Sequence, residues 1–265
     1  MSLKKRRVKR KIGALSKDLP IIVYKTIDST NTQAKLVAEN DQYKNAVFIA
    51  SEQTAGRGRL GRSFISEGGK GLYLSILLGG PLEPKLAVSL TTYMAVIASR
   101  CIEALTATEP RIKWVNDIYL GGKKVAGILT EGKADESAEA LEFAVVGIGI
   151  NLLKQEFDEN VKTIATTLED ECGKKVDVNT LAAMIVKEFF ENLPSLLTGS
   201  KEIAAEYKSR SFLIGERVTV IKPTKSYTAT VTDITDKCEL ALTLDSGDQE
   251  ILSTGEVSVR TVYRK

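Results

Sequence analysis

The chain has 265 residues, 43% hydrophobic and 27% charged, a composition typical of a globular protein. It contains no histidine, which excludes Ser-His-Asp and Cys-His catalytic sites and histidine-ligated metals. Its cysteines, Cys101, Cys172 and Cys238, are far apart, which argues against a disulfide framework and a structural zinc site and predicts a reducing, cytoplasmic location. No apolar run approaches the roughly 20 residues that span a bilayer, so we expect no membrane segment.

The net charge of +3 is unevenly distributed. Seven of the 37 basic residues lie within the first eleven positions, so the rest of the chain carries 30 basic against 34 acidic groups. Such a basic segment is typical of a solvated terminus, or of a contact with nucleic acid or an acidic partner. We expect residues 1–20 to be a disordered tail whose basic part is not needed for catalysis.

Apolar and periodic runs predict the elements in chain order. The predicted strands and helices are Ile21–Tyr24 (strand), Gln33–Glu39 (helix), Ala46–Ala50 (strand), Leu72–Leu78 (strand), Leu86–Leu105 (helix), a hairpin of 118–120 and 123–129 around Gly121-Gly122, Ala144–Ile150 (strand), Thr180–Leu197 (helix) and Lys201–Lys208 (helix). Five short β-rich runs after Phe212 predict a small barrel, and we place a domain boundary near residue 210.

One loop has a composition that folding does not require. Gln53 to Arg62 interleaves three glycines with three arginines. Glycine lets the backbone approach a ligand, and arginine grips a carboxylate or phosphate with two donors. The stretch therefore predicts a loop that holds a small anion. Because Leu60 is its only apolar anchor, we expect the loop to be mobile when empty and ordered by ligand.

Three other segments are informative, and the first two allow two interpretations each. Asp28 to Asn31 precede a helix, where such residues cap its start or bind a polar ligand. Asn116-Asp117 interrupts a strand-like run, which indicates either a functional site or a turn. Gly147 and Gly149 alternate in a strand that something approaches closely, with Asn151 at its end.

These segments resemble, in order, the signature of biotin protein ligases. The matching motifs are Asp28-Ser29-Thr30-Asn31, Gly56-Arg57-Gly58-Arg59-Leu60-Gly61-Arg62, Lys113-Trp114-Val115-Asn116-Asp117, Lys124-Val125-Ala126-Gly127-Ile128-Leu129, Gly147-Ile148-Gly149-Ile150-Asn151 and Gly255-Glu256-Val257-Ser258-Val259-Arg260. A single Gly/Arg loop is weak support, whereas ordered motifs over residues 21–262 are specific.

The resemblance implies an α+β fold in two parts. Residues 21–210 would form a class II synthetase-like catalytic domain, a mixed, largely antiparallel sheet with flanking helices, and residues 211–265 an SH3-like β-barrel. It further implies that ATP and biotin are the substrates, giving biotinyl-5′-AMP and pyrophosphate, and that a lysine of a biotin carboxyl carrier protein or domain accepts the biotinyl group. Mg²⁺ would be bound by the phosphates, with no protein ligand assigned. A homodimer is common in the family.

The resemblance also implies roles for individual residues. The catalytic residues would be Lys124, Arg57 and Asp117. The biotin-binding residues would be Ser29, Thr30, Asn31, Gln53, Arg57, Gly58, Arg59, Lys124, Gly127 and Gly149. The residues that bind ATP or the adenylate would be Arg57, Arg59, Arg62, Phe64, Lys124, Asn116, Asn151 and Arg260.

Two substitutions and one missing segment depart from the family pattern. Val115 stands where the family usually has proline, and Phe64 stands where a tryptophan often forms a platform for adenine. About twenty residues precede the first strand, so we expect no winged-helix domain and no specific DNA binding. The nearest alternative is a lipoate or octanoate ligase or transferase of the same superfamily, and a nucleic-acid-binding regulator acting through the basic tail is a more distant one.

Overall fold

Apolar runs of the sequence pair into a seven-stranded sheet in the computed structural model, which describes residues 2–40, 42–197, 201–222, 224–253 and 258–261. The strands are β1 (Ile21–Tyr24), β2 (Asn45–Ala50), β3 (Gly71–Leu82), β4 (Arg111–Lys113), β5 (Asp117–Leu120), β6 (Lys123–Ala134) and β7 (Leu141–Asn151). Their order is β1-β2-β3-β7-β6-β5-β4, with β1 parallel to β2 and the other neighbours antiparallel. The predicted mixed, largely antiparallel sheet is confirmed.

Most helices pack on one face of this sheet. The helices are α1 (Lys5–Ile12), α2 (Thr30–Glu39), α3 (Leu86–Thr106), α4 (Glu159–Lys162), α5 (Leu168–Cys172), α6 (Val178–Leu197) and α7 (Lys201–Arg210). α3 is largely apolar because it contacts both the sheet and α6, and its Tyr93, Met94 and Ile97 are fully buried. None of the described helices is long and apolar enough to cross a membrane.

α2 packs on the second face of the sheet. Its Ala34 is buried in a small cluster with Phe48, Leu77 and Val145, which lie on β2, β3 and β7. Because α2 is only ten residues long, it covers one part of this face and leaves the part near the carboxyl end of β7 to other segments. The candidate site lies there.

The basic N-terminal segment is a helix, so the prediction of a disordered tail is wrong. α1 packs on α6, with Val8 fully buried and Ile12 4% exposed. The buried side chain of Asn179 holds the preceding backbone, because Lys4 N donates to its Oδ1 at 2.7 Å and its Nδ2 donates to Ser2 O at 3.1 Å. Val8 and Ile12 are four residues apart and share one helix face, a short apolar stripe that the surrounding charges obscured in the sequence.

The last part of the chain forms a second, antiparallel sheet. Its strands are β8 (Arg217–Ile221), β9 (Ser226–Ile234), β10 (Leu240–Leu244), β11 (Gln249–Leu252) and β12 (Ser258–Thr261), in the order β11-β10-β9-β8-β12. The five predicted strands are confirmed. A hydrogen bond of 2.9 Å from Trp114 Nε1 to Cys238 O fastens this sheet to the first part of the chain.

Candidate active site

A strip of glycines runs across the second face of the first sheet. Gly127 on β6 lies opposite Gly149 on β7, and Gly149 lies opposite Tyr73 on β3. Gly147 precedes Gly149 by two residues, so it shares the same face, and it lies opposite Ser75. We call Gly127, Gly147 and Gly149 the glycine strip. Because none of them has a side chain, other groups can approach the sheet backbone there.

Side chains from two other segments and from β6 itself fill the glycine strip. A Cβ atom at Gly147 would stand 2.0 Å from Oδ1 of Asn31, and one at Gly149 would stand 2.6 Å from Cε1 of Phe64. A Cβ atom at Gly127 would stand 3.0 Å from Nζ of Lys124. The predicted close approach is therefore present, made by side chains of the protein. Contact of Gly127 and Gly149 with a ligand stays a prediction.

Two cations lie at the Gly127 end of the strip. Nζ of Lys124 pairs with Oδ1 of Asp117 at 2.6 Å, and these side chains are 27% and 23% exposed. Nη1 of Arg59 donates to Oδ1 of Asn116 at 3.1 Å. Burial lowers the pKa of Arg59, and the charge of Asp117 opposes that shift. Four predicted site residues from two distant segments thus meet in one place.

Asn116 is anchored on β6. Its Nδ2 donates to the carbonyl of Ile128 at 3.0 Å, and N of Ile128 donates to the carbonyl of Asn116 at 2.9 Å. Residues 114–116 form the turn between β4 and β5, and the Trp114–Val115 peptide bond in it is cis. The two interpretations of this segment are compatible, since a turn carries the side chain that holds Arg59.

Two residues predicted to bind biotin, Thr30 and Gln53, are hydrogen-bonded to each other, and Ser75 links Thr30 to Asn31. Oε1 of Gln53 accepts from N and Oγ1 of Thr30 at 2.9 and 3.1 Å, and its Nε2 donates to Oγ of Ser66 at 2.9 Å. Oγ of Ser75 stands 2.7 Å from Oγ1 of Thr30 and 2.6 Å from Oδ1 of Asn31. This polar network fixes several donors and acceptors beside the glycine strip.

The start of α2 differs from the predicted cap. The helix begins at Thr30, three residues before the predicted Gln33. Ser29 occupies the N-cap position with an extended backbone, yet its side chain makes no capping hydrogen bond, and the residue is 2% exposed. Thr30 and Asn31, which follow it, use their side chains for contacts other than capping.

A carboxylate that the sequence analysis did not single out holds two cations. Oε1 of Glu131 lies 2.7 Å from Nζ of Lys35 and 3.1 Å from Nη2 of Arg57, and its Oε2 accepts from Nδ2 of Asn31 at 2.9 Å. Burial by itself raises the pKa of Glu131, but the hydrogen bonds from Lys35 and Asn31 and the charges of Lys35 and Arg57 outweigh it. The pKa of Glu131 therefore lies below its ordinary value.

Arg57 and Lys124, both predicted to be catalytic and to bind biotin, pair with different carboxylates in this structure. Glu131, which holds Arg57, is four residues beyond Gly127 on β6, a Cα separation of about 13 Å. Lys124 lies at Gly127. The side chain of Arg57 is 47% exposed and that of Lys35 25%, so Arg57 is the less firmly held of the two cations on Glu131.

The Gly/Arg loop is a small hairpin on the strip. N of Gly58 donates to the carbonyl of Arg62 at 2.7 Å, and Arg62 is exposed. Leu60 is 52% exposed with a φ of 56°, so it is not the apolar anchor that we predicted. The anchor is Phe64, whose ring lies on the strip and edge-on to Tyr73 with 6.5 Å between centroids. Mobility of the loop without ligand stays a prediction.

Two further predicted residues lie at the margins. Asn151 follows Gly149 by two residues on the same face of β7, and its Nδ2 donates to the carbonyl of Thr166 at 3.1 Å. Arg260 belongs to β12, and its side chain lies outside the described part of the chain, as do residues 255–257 of the same motif.

Comparison with known proteins identifies the family of the chain. Residues 23–151 match the model of the Biotin/lipoate A/B protein ligase family, and residues 213–260 match that of the Biotin protein ligase C terminal domain. The biotin–acetyl-CoA-carboxylase ligase of Mycobacterium tuberculosis is 31% identical over 252 residues, which are 93% of this chain and 91% of that protein. The chain is a member of the biotin protein ligase family.

Other members of the family are similar over most of the chain. The bifunctional ligase/repressor BirA of Bacillus spizizenii is 31% identical over 236 residues, 88% of this chain and 72% of that protein. The structure of the biotin protein ligase from Aquifex aeolicus in complex with biotin and ATP superposes with a TM-score of 0.80 at 30% identity, over 92% of this chain and 99% of that one. The predicted fold class and family are confirmed.

Four residues that contact the predicted residues at this candidate site were missed in the sequence: Lys35, Ser66, Ser75 and Glu131. Glu131 carried a signal, because it follows Gly127 by four residues on a strand and must share its face. Lys35 lies four residues after Asn31, one helical turn away. Ser66 and Ser75 gave no signal in the sequence, since single serines in a loop and a strand are common.

Metal binding by protein groups finds no support in the described residues. No cluster of three or more Cys, Asp or Glu side chains there could hold an ion. That Mg²⁺ would be held by substrate phosphates stays a prediction.

Proposed function

We propose that the chain is an ATP-dependent biotin protein ligase that forms biotinyl-5′-AMP and then biotinylates a lysine of a biotin carboxyl carrier protein or domain. The observation that carries this is the meeting of Lys124, Asp117, Arg59 and Asn116 at the Gly127 end of the glycine strip. The family membership and the biotin- and ATP-bound relative with 30% identity support the same reaction.

In the first step, a carboxylate oxygen of biotin attacks the α-phosphorus of ATP and pyrophosphate leaves. Two anions must meet, and the transition state gathers negative charge on the α-phosphoryl oxygens. Fixed cations in a site that excludes water stabilise such charge, often the largest single catalytic contribution. We assign this role to Lys124 and Arg59, with Arg57 joining when substrate is bound. Mg²⁺ on the phosphates would neutralise further charge.

Biotin is assigned to the strip between the polar network and these cations. Its ureido head group carries donors and a carbonyl that match the hydrogen-bonding groups of Ser29, Thr30, Asn31 and Gln53. Since Thr30 and Gln53 bond to each other in this structure, binding exchanges those bonds for bonds to biotin. Gly58, Gly127 and Gly149 give backbone clearance.

The nucleotide is assigned beyond the Gly127 end. Phe64 offers a ring for stacking on adenine, which needs the ring to leave the strip or turn within it. Arg62 is exposed on the loop and free to swing toward the phosphates. Asn116, Asn151 and Arg260 complete the set that we propose for ATP.

In the second step, the neutral amine of the carrier lysine attacks the acyl carbonyl of the adenylate and AMP leaves. The amine gives up a proton as the amide forms, and we propose the Asp117 carboxylate as its acceptor. Asp117 is placed to orient this amine, because its carboxylate faces the same end of the strip and already holds one ammonium group, that of Lys124. Lys124 remains paired with the phosphate group of the leaving AMP.

The test is ATP–pyrophosphate exchange with biotin, lipoate and octanoate in parallel. We expect exchange with biotin alone. Exchange with lipoate or octanoate but not with biotin would establish the alternative ligase, and no exchange with any acid would refute an activating enzyme. A variant of Lys5, an exposed residue of α1 far from the strip in the fold, serves as control.

The assembly and location of the protein are also proposals. We propose a homodimer through an edge of the first sheet, where β1 and β4 are the outer strands. We propose a cytoplasmic location, which suits the three cysteines, all free thiols in the structure. We propose no sequence-specific DNA binding, since the chain beyond residue 11 is net acidic. Light scattering and a DNA mobility shift test the first and last.

A further inference from the structure

Arg57 can pair with either of two anionic groups in this fold, Glu131 or the substrate. In the structure it pairs with Glu131, whereas the proposed function, on which this inference rests, requires it at the biotin carboxylate and the α-phosphate. Glu131 stands about 13 Å along β6 from Gly127, where Lys124 lies. One side chain cannot serve both positions at once, so the Glu131 pair and the substrate compete for Arg57.

Glu131 is built to release Arg57 without becoming unpaired. Lys35 lies closer to the carboxylate than Arg57 does, 2.7 against 3.1 Å, and is less exposed, 25% against 47%. Asn31 donates to the other oxygen. When Arg57 leaves, one cation and one amide remain on Glu131, so the partly buried carboxylate keeps neutralising partners.

We propose that Glu131 is a positioning residue that holds Arg57 in a resting pose away from the reacting atoms. When substrate binds, Arg57 leaves Glu131 and pairs with the substrate. Lys35 sets how tightly Glu131 holds Arg57, because both cations draw on the same carboxylate oxygen. The pose keeps the Gly/Arg loop folded on the sheet and leaves the biotin carboxylate position open until substrate arrives.

The magnitude follows from the exposure of the pair. Half-exposed ion pairs are worth up to about a fivefold preference. Where only a fraction of the molecules has Arg57 available, the apparent affinity for substrate falls by that fraction. Removing the competing carboxylate therefore strengthens apparent biotin binding by about two- to fivefold, and strengthening the resting pair weakens it by a similar factor.

The experiment is a set of variants assayed for biotin KM and kcat in ATP–pyrophosphate exchange. Glu131→Gln keeps the shape of the side chain and its acceptor for Asn31, and should lower the biotin KM two- to fivefold with kcat unchanged. Lys35→Gln leaves Arg57 as the sole cation on Glu131, and should raise the KM. Both effects should vanish in the Arg57→Ala background. Glu142→Gln, which removes an exposed carboxylate paired with Lys133 on neighbouring strands, is the control.

A second measurement does not depend on biotin activity. The guanidinium ¹⁵N signals of Arg57, assigned by their loss in Arg57→Ala, should shift in Glu131→Gln and not in Glu142→Gln. A wild-type protein without biotin exchange would refute the proposed function, and this measurement would still test the pair. Unchanged Arg57 signals, KM changes of one sign for Glu131→Gln and Lys35→Gln, or equal effects without Arg57 would each overturn the inference.

Discussion

Replacing Gly147 by alanine tests whether the glycine strip is shaped by the side chains that lie in it. The new Cβ would stand 2.0 Å from Oδ1 and 2.8 Å from Cγ of Asn31, so the amide must retreat by about 1 Å or more to reach an ordinary contact. Asn31 is 3% exposed and is bonded to Ser75, to the carbonyl of Leu129 and to Glu131 at 2.6 to 3.2 Å. Retreat therefore breaks at least one buried hydrogen bond.

The expected cost combines overpacking, about 1–3 kcal/mol, with a buried polar group left unpaired, about 1–3 kcal/mol. Because the retreat relieves some of the clash, the two do not add fully, and we expect a loss of about 3 kcal/mol in the free energy of unfolding, measured by urea denaturation. Gly149→Ala is the matched control two residues away, where the new Cβ meets the Phe64 ring at 2.6 Å. That ring sits on a loop and can swing aside, so we expect a stability loss below about 1 kcal/mol and slower adenylate formation.

Two results would refute this reasoning. One is a Gly147→Ala protein within about 0.5 kcal/mol of wild type, the range of an ordinary surface substitution. The other is full additivity of Gly147→Ala with Asn31→Ala, because removing the amide should remove most of the clash.

The other predictions concern single groups. Lys124→Met should slow biotin-dependent pyrophosphate exchange by about 100- to 1,000-fold while circular dichroism stays unchanged, and a loss below tenfold would contradict its role as a charge stabiliser. Asp117→Asn should slow single-turnover transfer to the carrier more than adenylate formation, and the reverse order would contradict its role in the second step. Val8→Ala should lower the free energy of unfolding by about 2 kcal/mol, and Lys5→Ala on the same helix should not, as urea denaturation will show. The folded-state pKa of Glu131 is depressed, so its ionised form stabilises the fold above pH about 4.3 and this contribution is lost as the pH falls through the folded-state pKa. The stability difference between wild type and Glu131→Gln should therefore shrink between pH 5 and pH 3, and a constant difference would contradict the assignment.

The strands of the first sheet could be predicted because their apolar runs are continuous and are bounded by glycine and polar turns. The Gly121-Gly122 turn and the run Ala144–Ile150 were found in this way, and the structure extends the latter only to Leu141–Asn151. The same approach failed for α1. Only Val8 and Ile12 mark its buried face, and the charges around them favour disorder when no neighbour is known. The partner α6 lies more than 160 residues away in the sequence.

The candidate site could likewise be predicted only in part from the sequence. Lys124, Asp117, Arg59 and Asn116 were found from motifs, and the fold brings them together. The pair of Arg57 with Glu131 depends on strand register and on how the Gly/Arg loop folds back over β6, which no local pattern specifies. The motif led us to expect Arg57 beside Lys124, a position that fits the substrate-bound state of the proposed reaction better than the structure described here.

The most direct test of the whole account is transfer of biotin to protein. The chain is incubated with ATP, biotin and an isolated biotin carboxyl carrier domain, and the carrier is examined by mass spectrometry with peptide mapping. We expect one biotinyl group on one lysine, dependent on ATP and lost in Lys124→Met. An unmodified carrier, while a known biotin ligase modifies it under the same conditions, would contradict it.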